Sequence, residues 1–306
     1  MIVISGPTAT GKTKLALQLA AEFNGELISA DSRQIYIGMD IGTGKDIEGG
    51  AWDKKNKTWI IDKTPIHMLD QILPSSNYNV AQYISGAGEA IGKIKSRGHL
   101  PILVGGTGFY IRSIINPPAT LGIPQNNNLR SELDTKTRED LQKILQKIDL
   151  VKFNSMNYSD QNNPRRLVRA IEVAKYGKNP QGKVSSGRVF QISLTAPLPY
   201  IYKLADQRID EMIKVGLIEE ITNLLKKYSW EDPGLKSIGY IEFKEYFEKK
   251  KTLEKCVQQL KFNHHSLIRR QITWFKKEKN INLIDISKKD ILLKAKNFLK
   301  IAFGSP

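Results

Sequence analysis

Eight consecutive residues, Gly6-Pro7-Thr8-Ala9-Thr10-Gly11-Lys12-Thr13, carry the strongest chemical signal in the chain. Two glycines enclosing four residues, then lysine and threonine, let backbone N–H groups turn inward around a phosphate. Lys12 adds a positive charge, and the Thr13 hydroxyl is a candidate magnesium ligand. A helix starting at this point favours an anion. The second candidate is Asp31, a carboxylate that follows the strand-like stretch Glu26-Leu27-Ile28-Ser29-Ala30. A carboxylate there suits proton acceptance from an attacking group; its plainer use is to cap the next turn.

These groups need elements to hold them. Ile2-Val3-Ile4 reads as a short buried strand, and Lys14 to Phe23 as a helix with Leu15, Leu19 and Phe23 on one face. Glu26 to Ala30 is a second strand, Val80 to Arg97 a helix, and Leu100 to Val104 a third strand ending in Gly105-Gly106-Thr107-Gly108. Strands alternating with helices predict a parallel sheet with ligands at the carboxyl ends of its strands. The phosphate loop, Asp31 and Thr107 all fall at such ends and should converge on one crevice. The expected fold is α/β, a P-loop NTPase-like parallel sheet flanked by helices, with a mostly helical insertion domain.

Asn116-Pro117-Pro118 interrupts the alternation. Leu129 to Leu150 then reads as one or two amphipathic helices. Pro164 suits the first turn of a further helix reaching Tyr176, and Gly177 to Gly187 reads as a loop. Val189 to Leu194 resumes the strand pattern. The division expected is a core of 1–116 and 188–306 with an insertion of 117–187, in which lysine and arginine outnumber aspartate and glutamate. Helices are expected from Tyr202 to Val215, onward to Tyr228, and from Leu253 to Lys279, with a last strand from Ile281 to Ile286. In the long helix Trp274 and Phe275 read as core. His264 and His265, being adjacent, face different sides and make a poor metal pair.

At 306 residues the chain can bury a full core. Cys256 is its only cysteine, which excludes an intramolecular disulfide or a cysteine zinc cluster. With the first strand at Ile2 no leader is expected, and no apolar run is long enough for a bilayer. A cytoplasmic monomer is the expected form. The formal net charge of +16 points to a polyanionic partner, with RNA foremost; the plainer account is a lysine-rich solvated surface.

The most apolar strand ends without the acid that phosphate-loop hydrolases place there. Loop and Asp31 alone therefore say only that a phosphorylated donor meets an acceptor. Several blocks narrow this: Asp31-Ser32-Arg33-Gln34-Ile35-Tyr36, Gly38-Met39-Asp40-Ile41-Gly42-Thr43, Gly105 to Tyr110, Asn163 to Glu172, Ser237-Ile238-Gly239-Tyr240 and Arg269 to Phe275. In these blocks, running in order over nearly its whole length, the chain resembles the tRNA dimethylallyltransferases (isopentenyl-tRNA transferases). The resemblance implies transfer of a dimethylallyl group from its diphosphate to N6 of adenosine 37, beside the tRNA anticodon. The phosphate loop would then hold an isoprenoid diphosphate, with magnesium at Thr13. Lys12, Thr13 and Arg208 would stabilise departing pyrophosphate, and Asp31 would orient N6 and take its proton. RNA contacts are implied at Asp31, Ser32, Arg33, Gln34, Thr107 and Arg130, and at Arg165, Arg166, Leu167, Val168 and Arg169. Gln34 can read an adenine edge.

The chain departs from its relatives in places. Leu204 stands where many carry an arginine one turn before Arg208, which leaves Lys203 as the neighbouring cation. Gly44 replaces a common alanine. Residues 49–65, with Trp52 and Trp59, form an unusual hairpin-like stretch, and Ile66-His67 replaces paired histidines. Three rival readings share the loop: a prenyltransferase for free adenine nucleotides, a metabolite kinase, and a nucleotide-gated RNA-binding module. Arg208 has a rival reading too, an ion pair on its own helix with Asp210 or Glu211.

Overall fold

The computed structural model describes all residues except 46, 48, 119, 121–122, 177–187, 279 and 304–306, and the side chains of 302 and 303. The loop expected at 177–187 therefore lies outside the described residues. The chain divides into two compact units, Met1–Ile115 with Ser185–Pro306, and Asn116–Val184.

The first unit begins β1 (Ile2–Ser5), α1 (Lys12–Phe23), β2 (Gly25–Ser29), β3 (Ala51–Asp53), β4 (Thr58–Ile61), β5 (Thr64–His67), α2 (Val80–Ser96), β6 (Leu100–Gly105) and α3 (Gly108–Ile115). β1 is buried at every position and β6 at all but its first. Such two-faced burial belongs to a parallel strand covered by helices on both sides. α1 puts Leu15, Ala16, Leu19 and Ala20 against the sheet. α2 starts in a reciprocal cap, the Asn79 side chain taking the Gln82 N–H and the Gln82 side chain taking the Asn79 N–H.

The second unit holds α4 (Asn127–Leu133), α5 (Arg138–Ile148), α6 (Leu150–Ser155), α7 (Tyr158–Gln161) and α8 (Pro164–Tyr176). Its core is Leu129, Leu133, Leu141, Leu145, Leu167, Val168, Ala170 and Ile171. The first unit resumes with β7 (Phe190–Thr195), α9 (Leu198–Lys214), α10 (Leu217–Leu225), a 3-10 turn over Ile241–Phe243, α11 (Lys244–Phe247), α12 (Leu253–Phe275), β8 (Ile281–Asp285) and α13 (Ile291–Phe303). α9 begins earlier than Tyr202 because Pro199 sits inside its first turn, where no N–H is needed.

The strand order is β3-β4-β5-β2-β6-β1-β7-β8. From β5 to β8 every pairing is parallel, whereas β3–β4 and β4–β5 are antiparallel. The sheet is thus mixed, and Leu100–Val104 lies in its sixth strand in chain order, not its third. The hairpin adds an antiparallel edge to a parallel core. His67, at the end of β5, bonds the buried Glu26 carboxylate at 2.7 Å, which Arg97 and His99 also hold. Burial pushes the Glu26 carboxyl up, but the hydrogen bonds from His67, Arg97 and His99 outweigh it and hold the group below its usual value.

Candidate active site

The order β2-β6-β1 sets the ends of three adjacent strands side by side. β1 runs into the phosphate loop, β2 into Asp31, and β6 into Gly106-Thr107. Hydrogen bonds tie the last two: Ala30 N–H to Val104 O (2.7 Å), Thr107 N–H to Ala30 O (3.1 Å) and Ser32 N–H to Thr107 Oγ1 (3.0 Å). Gly6 has φ +141°, and a Cβ there would lie 2.6 Å from the Leu194 carbonyl of β7. The loop's sharp exit from β1 therefore requires glycine.

Within the loop, Thr10 Oγ1 and Lys12 Nζ both donate to the Pro7 carbonyl, at 2.8 and 2.6 Å. Two adjoining hollows open from it. One is lined by the loop residues Gly11, Lys12 and Thr13 with Gln34, Ile66 and Leu69. The other is lined by Ser32, Arg33, Thr107, His264 and Arg270. Thr8, Asp31, Thr43, Gly106, Arg208 and Gln271 line both. Asp31 Oδ1 accepts the Arg33 N–H at 2.8 Å, the turn-capping bond foreseen as its plainer use, while the carboxylate also faces both hollows.

Arg208 projects from α9, its Nη2 donating to the Gly44 carbonyl at 2.9 Å. Asp210 instead pairs with Lys261 at 2.7 Å. Leu204 packs against the sheet core, and Lys203 is exposed and lines neither hollow. The guanidinium of Arg208 is therefore the cation that α9 brings to the site. Gln34 lies beside the phosphate loop. Its Oε1 accepts from Ser29 Oγ and its Nε2 donates to Gly44 O, both at 3.0 Å, and it lines only the loop-side hollow.

Gln271 of α12, one of the residues in the block Arg269 to Phe275, joins two loops. Its Oε1 accepts the Thr8 N–H and its Nε2 donates to the Gly106 carbonyl, both at 3.0 Å. The available signal is periodicity: Gln271 lies three residues after buried Ile268 and four before buried Phe275, a polar residue on an apolar stripe. Glu220 is a second such residue. Its carboxylate accepts the N–H groups of Asp40, Ile41 and Gly42 and the Tyr240 hydroxyl, fixing the segment that leads to Thr43 and Gly44. Lys45, fully buried at its side chain, donates to Asp40 and Asp70 and to the Tyr36 carbonyl.

His264 is buried, and burial foremost, then the neighbouring Arg208 and His265, lowers its imidazole to about 4. It is therefore neutral at pH 7. His265 bonds Asp206 at 2.9 Å and stacks on Tyr202. No cluster of three or more His, Cys, Asp or Glu fit for a metal ion occurs among the described residues. Trp274 packs on Gly108 with the Arg112 guanidinium 4.8 Å from its ring centre, and Phe275 is buried.

In the second unit, Arg165 and Arg166 are exposed, and Arg166 pairs with Asp160. Leu167 and Val168 belong to the core of this unit, and Val168 also lines a hollow beside Arg165. Arg130 and Arg169 turn toward Glu172, at 2.7 and 3.1 Å, and Arg169 also donates to the carbonyls of Thr120 and Ile123. Arg130 still lines a hollow with Lys136 and Arg165. Glu172, only 2% exposed, thus anchors two of the six residues expected to meet RNA from this unit. Glu172→Ala should destabilise the full chain by about 2–3 kcal/mol in urea unfolding, less than a fully buried pair because both arginines keep some solvent. An unshifted unfolding midpoint would deny it this structural role.

The sheet order, the loop after β1 and the helix behind it define a P-loop-type α/β protein. A family model described as IPP transferase matches residues 34–278. The chain is 35% identical over 315 residues to the tRNA dimethylallyltransferase of Roseiflexus castenholzii, covering 100% of this chain and 99% of the relative. It is 35% identical to that of Moorella thermoacetica, covering 92% and 88%. Among solved structures, the tRNA isopentenylpyrophosphate transferase of Bacillus halodurans matches with TM-score 0.70 at 33% identity, covering 98% of this chain and 95% of its own. A eukaryotic dimethylallyltransferase acting on tRNA matches with TM-score 0.81 at 25% identity, covering 100% and 80%. The chain belongs to the IPP transferase family.

Proposed function

We propose that this chain transfers a dimethylallyl group from dimethylallyl diphosphate to N6 of adenosine 37 in tRNA, releasing pyrophosphate. The observation that carries the reading is the position of Asp31 on both hollows, one lined by the phosphate loop and the other by Ser32, Arg33, Thr107 and Arg270. A diphosphate fits the first and a flipped-out base the second, so donor and acceptor meet at the carboxylate.

Breaking the allylic carbon–oxygen bond places growing charge on pyrophosphate. Cations and N–H donors aimed at that charge lower the barrier; Lys12, the loop N–H groups and Arg208 are those groups here. The N6 amine is conjugated with the purine and is a poor nucleophile. Asp31 orients it and takes its proton as the new carbon–nitrogen bond forms. The base leaves its stack to enter, at a cost of a few kcal/mol. Burial of the five-carbon tail against Ile66, Leu69 and Val104 returns about 3–4 kcal/mol, at about 0.8 per methylene.

Magnesium suits the oxygen donors at the loop, since this ion commonly takes one or two protein oxygens and completes its shell with substrate phosphates and water. Thr13 would hold it, and it would supply further charge neutralisation for pyrophosphate. The second unit serves as the tRNA-binding element, through the anticodon stem-loop, with Arg165 and Arg166 among its exposed cations. A monomer suffices, and no helix among the described residues is long and apolar enough to cross a membrane.

The test is incubation with magnesium, labelled dimethylallyl diphosphate or ATP, and unmodified tRNA, followed by digestion and identification of the labelled nucleoside. Label on adenosine N6 is expected. Label passing from ATP to a small acceptor would instead make the chain a kinase, and label on free nucleotide but not tRNA would favour the mononucleotide reading. Arg165→Ala should weaken tRNA binding and lower the slope of log affinity against log salt by about 0.7–0.9. An unaltered slope would remove Arg165 from the RNA contact.

A further inference from the structure

The β3–β4 hairpin has no part in the reaction described so far. β5 runs parallel to β2, with Leu27 opposite Ile66. β4 runs antiparallel to β5, Trp59 opposite Ile66 and Ile61 opposite Thr64, and β3 pairs back with Asp53 opposite Thr58. These directions fix where the turns stand. The Asp62-Lys63 turn lies on the rim where β2 begins. The 54–57 turn lies on the rim where β2 ends, the rim that carries Asp31 and both hollows.

That turn has a defined shape. The Asp53 carboxylate accepts the N–H groups of Lys55 and Asn56, at 2.9 and 3.2 Å, and the Asn56 side-chain amide at 2.6 Å. Lys57 closes it in the left-handed region at φ +51°. Lys54, Lys55 and Lys57 are all exposed. Below the tip, Trp52 and Trp59 pack with ring centres 5.7 Å apart. Trp59 Nε1 donates to Asp70 at 2.6 Å, and Asp70 pairs with Lys45 in the wall of the loop-side hollow. The hairpin that carries the cationic tip is thus linked to the site through Asp70 and Lys45.

We infer that Lys54, Lys55 and Lys57 form an additional contact to the phosphate backbone of tRNA, contributed by the first unit. The inference rests on the tRNA reading above. Three ammonium groups within four residues, on the rim where the acceptor base enters, release counterions when they meet phosphates. Lysines on an edge strand also serve to block edge-to-edge pairing. That role predicts a tRNA affinity indifferent to the sign of the charge, because glutamate blocks an edge equally well.

The experiment compares wild type with K54Q/K55Q/K57N, K54E/K55E/K57E and K54R/K55R/K57R. Asparagine at 57 tolerates the left-handed backbone. Equilibrium tRNA binding is measured across salt concentrations, with prenyl transfer measured separately. The neutral variant should bind about tenfold more weakly, with a salt slope lower by about 1–2, and the acidic variant more weakly still. The arginine variant should bind as wild type, and the losses should appear in KM for tRNA rather than in kcat. Equal affinity and slope in the neutral and acidic variants and wild type would overturn the inference. So would a loss in the arginine variant as large as in the neutral one. A wild type that binds tRNA without prenylating it would fault the proposed reaction alone, because the hairpin is scored on binding.

Discussion

Asp31→Asn should bind tRNA as tightly as the native protein and transfer the prenyl group at least about a hundredfold more slowly. The substitution is isosteric and keeps an oxygen to accept the Arg33 N–H, so the turn after β2 retains its shape. What it removes is the ability to take a proton. The loss should therefore fall on kcat, with KM for both substrates nearly unchanged, the pattern of an interaction made only in the transition state. Steady-state kinetics with each substrate varied, together with direct tRNA binding, decides the matter. Native turnover in the Asn variant would remove Asp31 as the base, and a rise in KM alone would make it a binding residue.

Lys12→Met should reduce kcat/KM for dimethylallyl diphosphate by about 10²–10³, with tRNA affinity unaffected. The side chain of Lys12 donates to the Pro7 carbonyl from within the loop, which holds its charge over the loop's mouth. Methionine keeps the length and apolar stem but carries neither charge nor donor. Pyrophosphate gains negative charge as the allylic bond breaks, so the deficit should be larger in the transition state than in the bound donor. Inhibition by added pyrophosphate should weaken in the same variant. If only KM for the donor rises while kcat holds, Lys12 serves ground-state binding and the charge must be met by Arg208 and the loop N–H groups.

How much of this is legible in the sequence depends on the range of the interactions. β1 and β6 are largely apolar runs because helices cover both faces of the parallel core, and the glycines at their ends sit at fixed offsets, while β2 keeps an apolar centre at Leu27-Ile28. Asp31, Thr107 and the loop could thus be placed together from spacing alone. β3, β4 and β5 are three or four residues long and interleaved with lysine, aspartate and glycine, so only a hairpin-like character shows. The ion pair of Arg130 is hidden in the sequence because its partner Glu172 lies 42 residues away. The hold of Ser29 and the Gly44 carbonyl on the Gln34 amide is likewise invisible until the fold brings them together. Gln271 hides in an amphipathic helix, where one polar residue on the buried stripe has no meaning until the two loops it joins are in view.

The placement of β6 between β1 and β2 acts as a ruler. Neighbouring strands are held about 4.8 Å apart by their backbone hydrogen bonds, so the cradle beyond β1 and the carboxylate beyond β2 are offset by about 10 Å across the sheet. Side-chain substitution cannot stretch or shorten that interval. Variants chosen to accept longer prenyl donors will therefore find their room in the flanking walls, at Ile66 and Leu69, while the span between leaving group and proton acceptor stays as the backbone sets it.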